Sequence, residues 1–130
     1  MVKQYDYDSM AEYYDILDGS IIPYNELSAE LIKKISVKGK KAIDLACGTG
    51  NFTYALKKLN YSIKGSDLSS KMISIAKTKF PDITFYKKDM TLPLNKKYDV
   101  VFCMFNSIAH CLRQGYSQTL VCRGIALLSP

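Results

Sequence analysis

The chain has 130 residues and 14.7 kDa, with 48% hydrophobic, 23% charged and 12% aromatic residues; that is one folded domain, not a disordered, collagenous or coiled-coil chain. The longest purely apolar run, Val100 to Phe105, falls far short of the roughly 20 residues a membrane helix needs, and Met1 to Ser9 holds no signal-peptide core, so a cytoplasmic protein with no membrane contact is expected. A net charge of +6 suits an anionic partner such as nucleic acid, but the lysines come as doublets (33–34, 40–41, 57–58, 87–88, 96–97) at the ends of predicted elements, where solvated surface is the favoured reading.

Asp8 or Ser9 caps a first helix carrying Met10, Tyr13, Tyr14 and Ile16, which Asp18-Gly19-Ser20 ends. After Pro23 a second helix places Leu27, Leu31, Ile32 and Ile35 on one face until Gly39. The character then changes. Ala42 to Ala46 is a short apolar run opening into Cys47-Gly48-Thr49-Gly50, and Phe52, Ala55, Leu56 and Leu59 return to helical spacing, so the segment reads as strand, glycine turn, helix. The form repeats from Tyr61 and Ile63 into Gly65-Ser66-Asp67. There Ser69 or Ser70 caps a helix with Met72, Ile75, Ala76 and Phe80 inward, broken by Pro81. Ile83 and Phe85 alternate toward Asp89, and Tyr98 to Phe105 reads as a strand buried on both faces. Strands alternating with helices make a parallel α/β sheet. The four cysteines (47, 103, 111, 122) form no C-x-x-C pair and are expected to be reduced thiols with no metal site.

Gly48 and Gly50 stand between strand and helix, where absent β-carbons let a ligand approach the backbone. A dinucleotide fingerprint needs Gly or Ala at position 53, and Thr53 disfavours it. Asp44, Asp67 and Asp89 fall at the ends of three successive strands. One such Asp alone is an ordinary cap or turn former, but three at one sheet edge make a site, and the second is placed to accept ribose hydroxyls. A carboxylate-lined site without a Walker lysine repels polyphosphate and favours a neutral or positive ligand.

Taken in order, Ala42 to Thr53 (AIDLACGTGNFT), Gly65 to Ser70 (GSDLSS) and Lys88 to Met90 (KDM) resemble the successive motifs of class I S-adenosylmethionine-dependent methyltransferases. The resemblance implies a Rossmann-like, mostly parallel sheet with flanking helices, in strand order 3-2-1-4-5-7-6. It also implies S-adenosylmethionine as cofactor, with Asp44 toward the methionine amino group and Ala46, Gly48 and Gly50 near the methionine part. Asp67 would hold the ribose and Leu68 lie against adenine. Asp89 would bond the adenine amino group, Met90 border the ring and Phe105 lie beside the methionine part. Ala46 stands where the family often has the first glycine of the loop.

Methyl transfer to a small-molecule N or O nucleophile is the activity the resemblance implies. Met104 to His110 (MFNSIAH) resembles the acceptor-side segment of sugar-amine N-methyltransferases, with His110 as a base or else a helix-capping residue. Asn106 either orients an acceptor or ends the strand. Tyr7, Tyr13 and Tyr14 resemble a cofactor-covering helix whose ring meets the sulfonium, with core packing as the alternative. The domain is expected to divide into a helical cap (1–38), a cofactor core (39–112) and a tail (113–130) in which Gln118 to Leu128 forms one helix. Because the family continues past this point with a Pro-Gly-Gly turn and further strands, the chain reads as truncated. Two alternatives follow: a non-catalytic cofactor-binding or interaction module, and, from the charge alone, a nucleic-acid methyltransferase. With a missing fifth strand, Val100 to Phe105 is expected to expose an apolar edge and drive self-association.

Overall fold

The computed structural model describes residues 7–18, 23–34, 38–90, 92–103 and 125–127. Their order is α1 (Tyr7–Asp18), α2 (Tyr24–Lys34), β1 (Lys41–Leu45), α3 (Asn51–Lys58), β2 (Ser62–Asp67), α4 (Ser70–Lys79), β3 (Thr84–Lys87), β4 (Val100–Cys103) and β5 (Ile125–Leu127). The strands form one sheet in the order β3-β2-β1-β4-β5, every neighbouring pair parallel. That is the first five places of the seven-strand order that the motifs imply.

Alternation along the central strands sorts the core. Ala42 on β1 and Val100 and Phe102 on β4 join Phe52 and Leu56 of α3 and Leu31 of α2, whereas Ile43, Leu45, Val101 and Cys103 point to the opposite face, under Tyr86, Met90, Leu94 and Tyr98. Phe102 is fully buried, and the rings of Phe52 and Tyr61 meet it edge-on at centroid distances of 5.9 and 5.8 Å. α3 ends with Asn60 in the left-handed region (φ 67), and the Tyr61 N–H returns to the Leu56 carbonyl. Ser69 is the N-cap of α4, its hydroxyl accepting the Met72 N–H at 3.2 Å. The buried face of α4 carries Met72, Ile73 and Ala76, so Ile73 takes the inward place that spacing gave to Ile75.

Two expectations are overturned. The tail does not form one helix from Gln118 to Leu128, because Ile125 to Leu127 pair in parallel with Val101 to Cys103. The edge of β4 is therefore hydrogen-bonded, and self-association through it loses its basis. Leu120, Val121, Ile125 and Leu128 do match a helical spacing, but three extended residues beside an open parallel edge gain ladder hydrogen bonds that a helix there would leave unmade. The second reversal is in α1. Met10, Tyr13 and Ile16 are 39%, 61% and 70% exposed, and the helix turns Ala11, Tyr14 and Asp15 inward instead. Among the described residues no helix is long and apolar enough to cross a membrane.

Candidate functional site

The turn after β1 is built from left-handed backbone. Ala46 (φ 53), Gly48 (φ 57) and Gly50 (φ 87) all lie there, and Gly50 caps α3 without a side-chain hydrogen bond. A β-carbon on Gly50 would stand 2.7 Å from the Phe85 ring, and one on Gly65 would stand 2.6 Å from the same ring. Both glycines thus make room for the protein's own aromatic packing. At Gly48 the nearest group is the Tyr14 ring, at 3.5 Å from a notional β-carbon. Ala46 has no such excuse in sterics: an alanine in the left-handed region is disfavoured by about 1 kcal/mol or more relative to glycine. Ala46→Gly is expected to stabilise the chain by about 1 kcal/mol, read as a raised urea midpoint; an unchanged or lowered midpoint contradicts the assigned strain.

The three carboxylates share one end of the sheet but not one depth. Asp44 shares its face of β1 with Ala42, toward α3, where it is 2% exposed and accepts the Thr53 hydroxyl at 2.7 Å. Burial, helped by the charge of Asp67 and opposed by the Thr53 bond, pushes its carboxyl up to about 7. Asp67, the last residue of β2, is half-buried and divides its oxygens: Oδ2 accepts the Gly48 N–H at 2.8 Å and Oδ1 the Ser69 N–H at 2.9 Å. Burial raises it above the usual carboxylate range despite those bonds. Asp89 follows β3 and is half-buried, and its carbonyl accepts the Leu92 N–H. Leu68 beside Asp67 is 54% exposed, while Met90 packs on the cluster of Ile43, Leu45, Val101 and Cys103. Burial also drives the Cys47 thiol far up, which keeps it unreactive.

Asp44, Ala46, Gly48, Gly50 and Asp67 therefore converge around one turn, with Tyr14 above it. Tyr13 points away. The Tyr7 side chain and all of Phe105, Asn106 and His110 lie outside the described residues. Several contacts at the site are not anticipated by the sequence, and Asp8, Asp15 and Lys79 lie outside the quoted motifs. Thr53 partners Asp44 from nine positions away. Asp15 accepts the Thr49 hydroxyl and, at 3.0 Å, the Asn51 side-chain amide; Lys79 reaches Asp15 and Asn51 at 2.6 Å each. Asp8 accepts the hydroxyl of Ser69. Only the helical placement of Asp8 and Asp15 on one face hinted at this, because their partners lie about 30 to 60 residues on.

Residues 42–127 match the family model described as "Methyltransferase domain", and the chain belongs to that family. It is 33% identical over 117 residues to dTDP-3-amino-3,6-dideoxy-alpha-D-glucopyranose N,N-dimethyltransferase of Streptomyces fradiae, covering 85% of this chain and 46% of that one. Two solved structures are similar in fold. DesVI of Streptomyces venezuelae has a TM-score of 0.68 at 26% identity, and an S-adenosylmethionine-dependent methyltransferase from Clostridium acetobutylicum has 0.66 at 30%; each match covers 82% of this chain and 46% of the other. The chain spans about half the length of these relatives. S-adenosylmethionine is the cofactor the family uses.

Proposed function

We propose that this chain binds S-adenosylmethionine across the carboxyl ends of β1, β2 and β3 and serves methyl transfer to a small-molecule nitrogen or oxygen nucleophile, an amino sugar foremost. The observation that carries the reading is the double use of Asp67, which ties the Gly48 and Ser69 amides together, also meets the Leu68 backbone N–H, and keeps lone-pair capacity for a ribose hydroxyl. The start of α3, which has no side-chain cap, suits a carboxylate. Leu68 offers exposed apolar surface beside Asp67 for a purine, and Asp89 and Met90 follow β3, the strand paired with β2. Tyr14 over Gly48 covers the other end, where an aromatic ring excludes water and attracts a sulfonium. In this reading Asp44 charges the floor under the amino group, Phe105 flanks the methionine part and His110 accepts the acceptor's proton.

When bound, S-adenosylmethionine supplies a methyl group activated on a sulfonium. What the chain contributes is orientation, which is worth about 7–11 kcal/mol in favourable cases. The amino-sugar class comes from the names of the relatives, and residues 1–38 act as the cap over the cofactor. A cofactor-binding module without transfer is the second reading, since the residues gathered at the glycine turn, Asp44, Gly48 and Asp67, are ones that hold a ligand. Calorimetric titration with S-adenosylhomocysteine, followed by a transfer assay on dTDP-linked amino sugars, tests both. Saturable binding with methylated product supports the first reading, and binding without product selects the second. A folded chain that binds no adenosyl ligand, or binds NAD in its place, rejects both.

A further inference from the structure

α1 is an inverted amphipathic helix. Met10, Tyr13 and Ile16 face outward at 39%, 61% and 70% exposure, while two of its carboxylates, Asp8 and Asp15, bond to other elements. Among its described apolar residues only Ala11 and Tyr14 turn inward, so polar contacts are a substantial part of what seats it. They fall at two places. Asp8 in the first turn accepts from the Ser69 hydroxyl and, at 3.4 Å, from the Lys71 N–H. Asp15, two turns and about 10 Å further along, meets Lys79 at the far end of α4. α1 consequently runs parallel to α4, one end at the residues that follow Asp67 and the other at the glycine turn.

The second contact is a closed network. The three N–H groups of Lys79 reach Asp15 at 2.6 Å, Asn51 at 2.6 Å and Thr49 at 3.4 Å, and the other Asp15 oxygen accepts from Thr49 and Asn51. Every charged donor and acceptor is matched, and Thr49, 1% exposed, stands directly between Gly48 and Gly50. Burial works against the ionised Asp15, but Lys79, Thr49 and Asn51 outweigh it and hold the carboxyl below its usual range.

We infer that Asp15 is a positioning residue of the cofactor site: through Thr49, Asn51 and Lys79 it clamps α1 across the glycine turn, holds the Tyr14 ring over Gly48, and so sets how fast an adenosyl ligand leaves. This rests on the cofactor reading above, although the clamp itself has a ligand-independent signature. The contact is an ion pair with about a third of each side chain exposed, so salt weakens it whereas an apolar seat would tighten.

The test measures amide hydrogen exchange of α1 without ligand, and dissociation of S-adenosylhomocysteine by stopped flow, in the wild type, Asp15→Asn and Lys79→Gln. In both variants the α1 amides are expected to exchange about 10-fold faster while β1 and β2 keep their protection. The ligand is expected to leave about 10-fold faster with little change in its association rate. In the wild type, raising salt from about 50 mM to about 500 mM shifts both readouts the same way without any substitution. Unchanged α1 exchange in the variants and in salt overturns the clamp, and accelerated exchange with an unchanged dissociation rate overturns its positioning role. If the wild type binds no S-adenosylhomocysteine, the cofactor reading and the positioning role fall together, while the exchange data still decide whether Asp15 seats α1.

Discussion

Asp67→Ala is expected to weaken S-adenosylhomocysteine binding by about 100-fold or more and to lower the melting temperature of the ligand-free chain. The carboxylate holds the Gly48 and Ser69 amides at 2.8 and 2.9 Å, so removing it leaves two backbone donors at a half-buried corner without their acceptor. Charge-assisted bonds of this kind contribute about 1.5–3 kcal/mol each, and the proposed ribose bond is lost in addition. Asp67→Asn separates the roles. Its single carbonyl oxygen replaces only one acceptor and its NH2 opposes the other amide, so an intermediate affinity is expected. Calorimetry and thermal melts on the two variants check this. Wild-type affinity in Asp67→Ala removes this residue from the cofactor site.

Stability of the ligand-free chain is expected to fall as pH rises toward neutrality, the reverse of the usual behaviour of a paired carboxylate. Asp44 lies 2% exposed with its carboxyl pushed up to about 7, chiefly by burial. A carboxyl whose folded pKa exceeds its unfolded value binds a proton more tightly in the native state. Its contribution is fully present below about pH 4 and is lost as pH rises through about 7, at on the order of 1 kcal/mol per pH unit. Asp67, also raised, acts in the same direction. Asp8, Asp15 and Glu30 are lowered and act oppositely, but only below the ordinary carboxylate range. Urea unfolding between about pH 5 and about pH 7.5 reads the slope. Asp44→Asn, which keeps an acceptor for the Thr53 hydroxyl, is expected to flatten most of it. A wild type whose stability rises over this interval contradicts the assignment.

Local chemistry made much of this legible. The strand, glycine turn and helix at 41–58 follow from apolar run, left-handed turn residues and helical spacing, and Ser69 caps α4 as its position suggests. The parallel sheet follows from alternation of strand and helix, and its strand order is the one the family resemblance implies. What escaped is what depends on distant partners. Ile125 belongs to a helically spaced set with Leu120, Val121 and Leu128, and it is the pairing with β4 that makes residues 125–127 a strand. Tyr13 of α1, read as facing the cofactor or the core, is exposed, because periodicity identifies a stripe without saying which side meets the protein. Asp44 was legible as a residue of the turn, but its depth is set by the face of β1 it shares with Ala42 and by the Thr53 hydroxyl, a pairing that the motif's spacing does not state. The Asp15–Lys79 pair spans 64 positions, and the shared helical face of Asp8 and Asp15 does not say which residue Asp15 meets.

The most direct measurement is a titration of the 15N-labelled chain with S-adenosylhomocysteine followed by NMR. The account predicts saturable shifts concentrated at the Gly48, Asp67 and Ser69 amides, spreading to Tyr14 and Asp89 and sparing α2. No saturable shift in a folded sample, or shifts centred away from the carboxyl ends of β1 and β2, contradicts it.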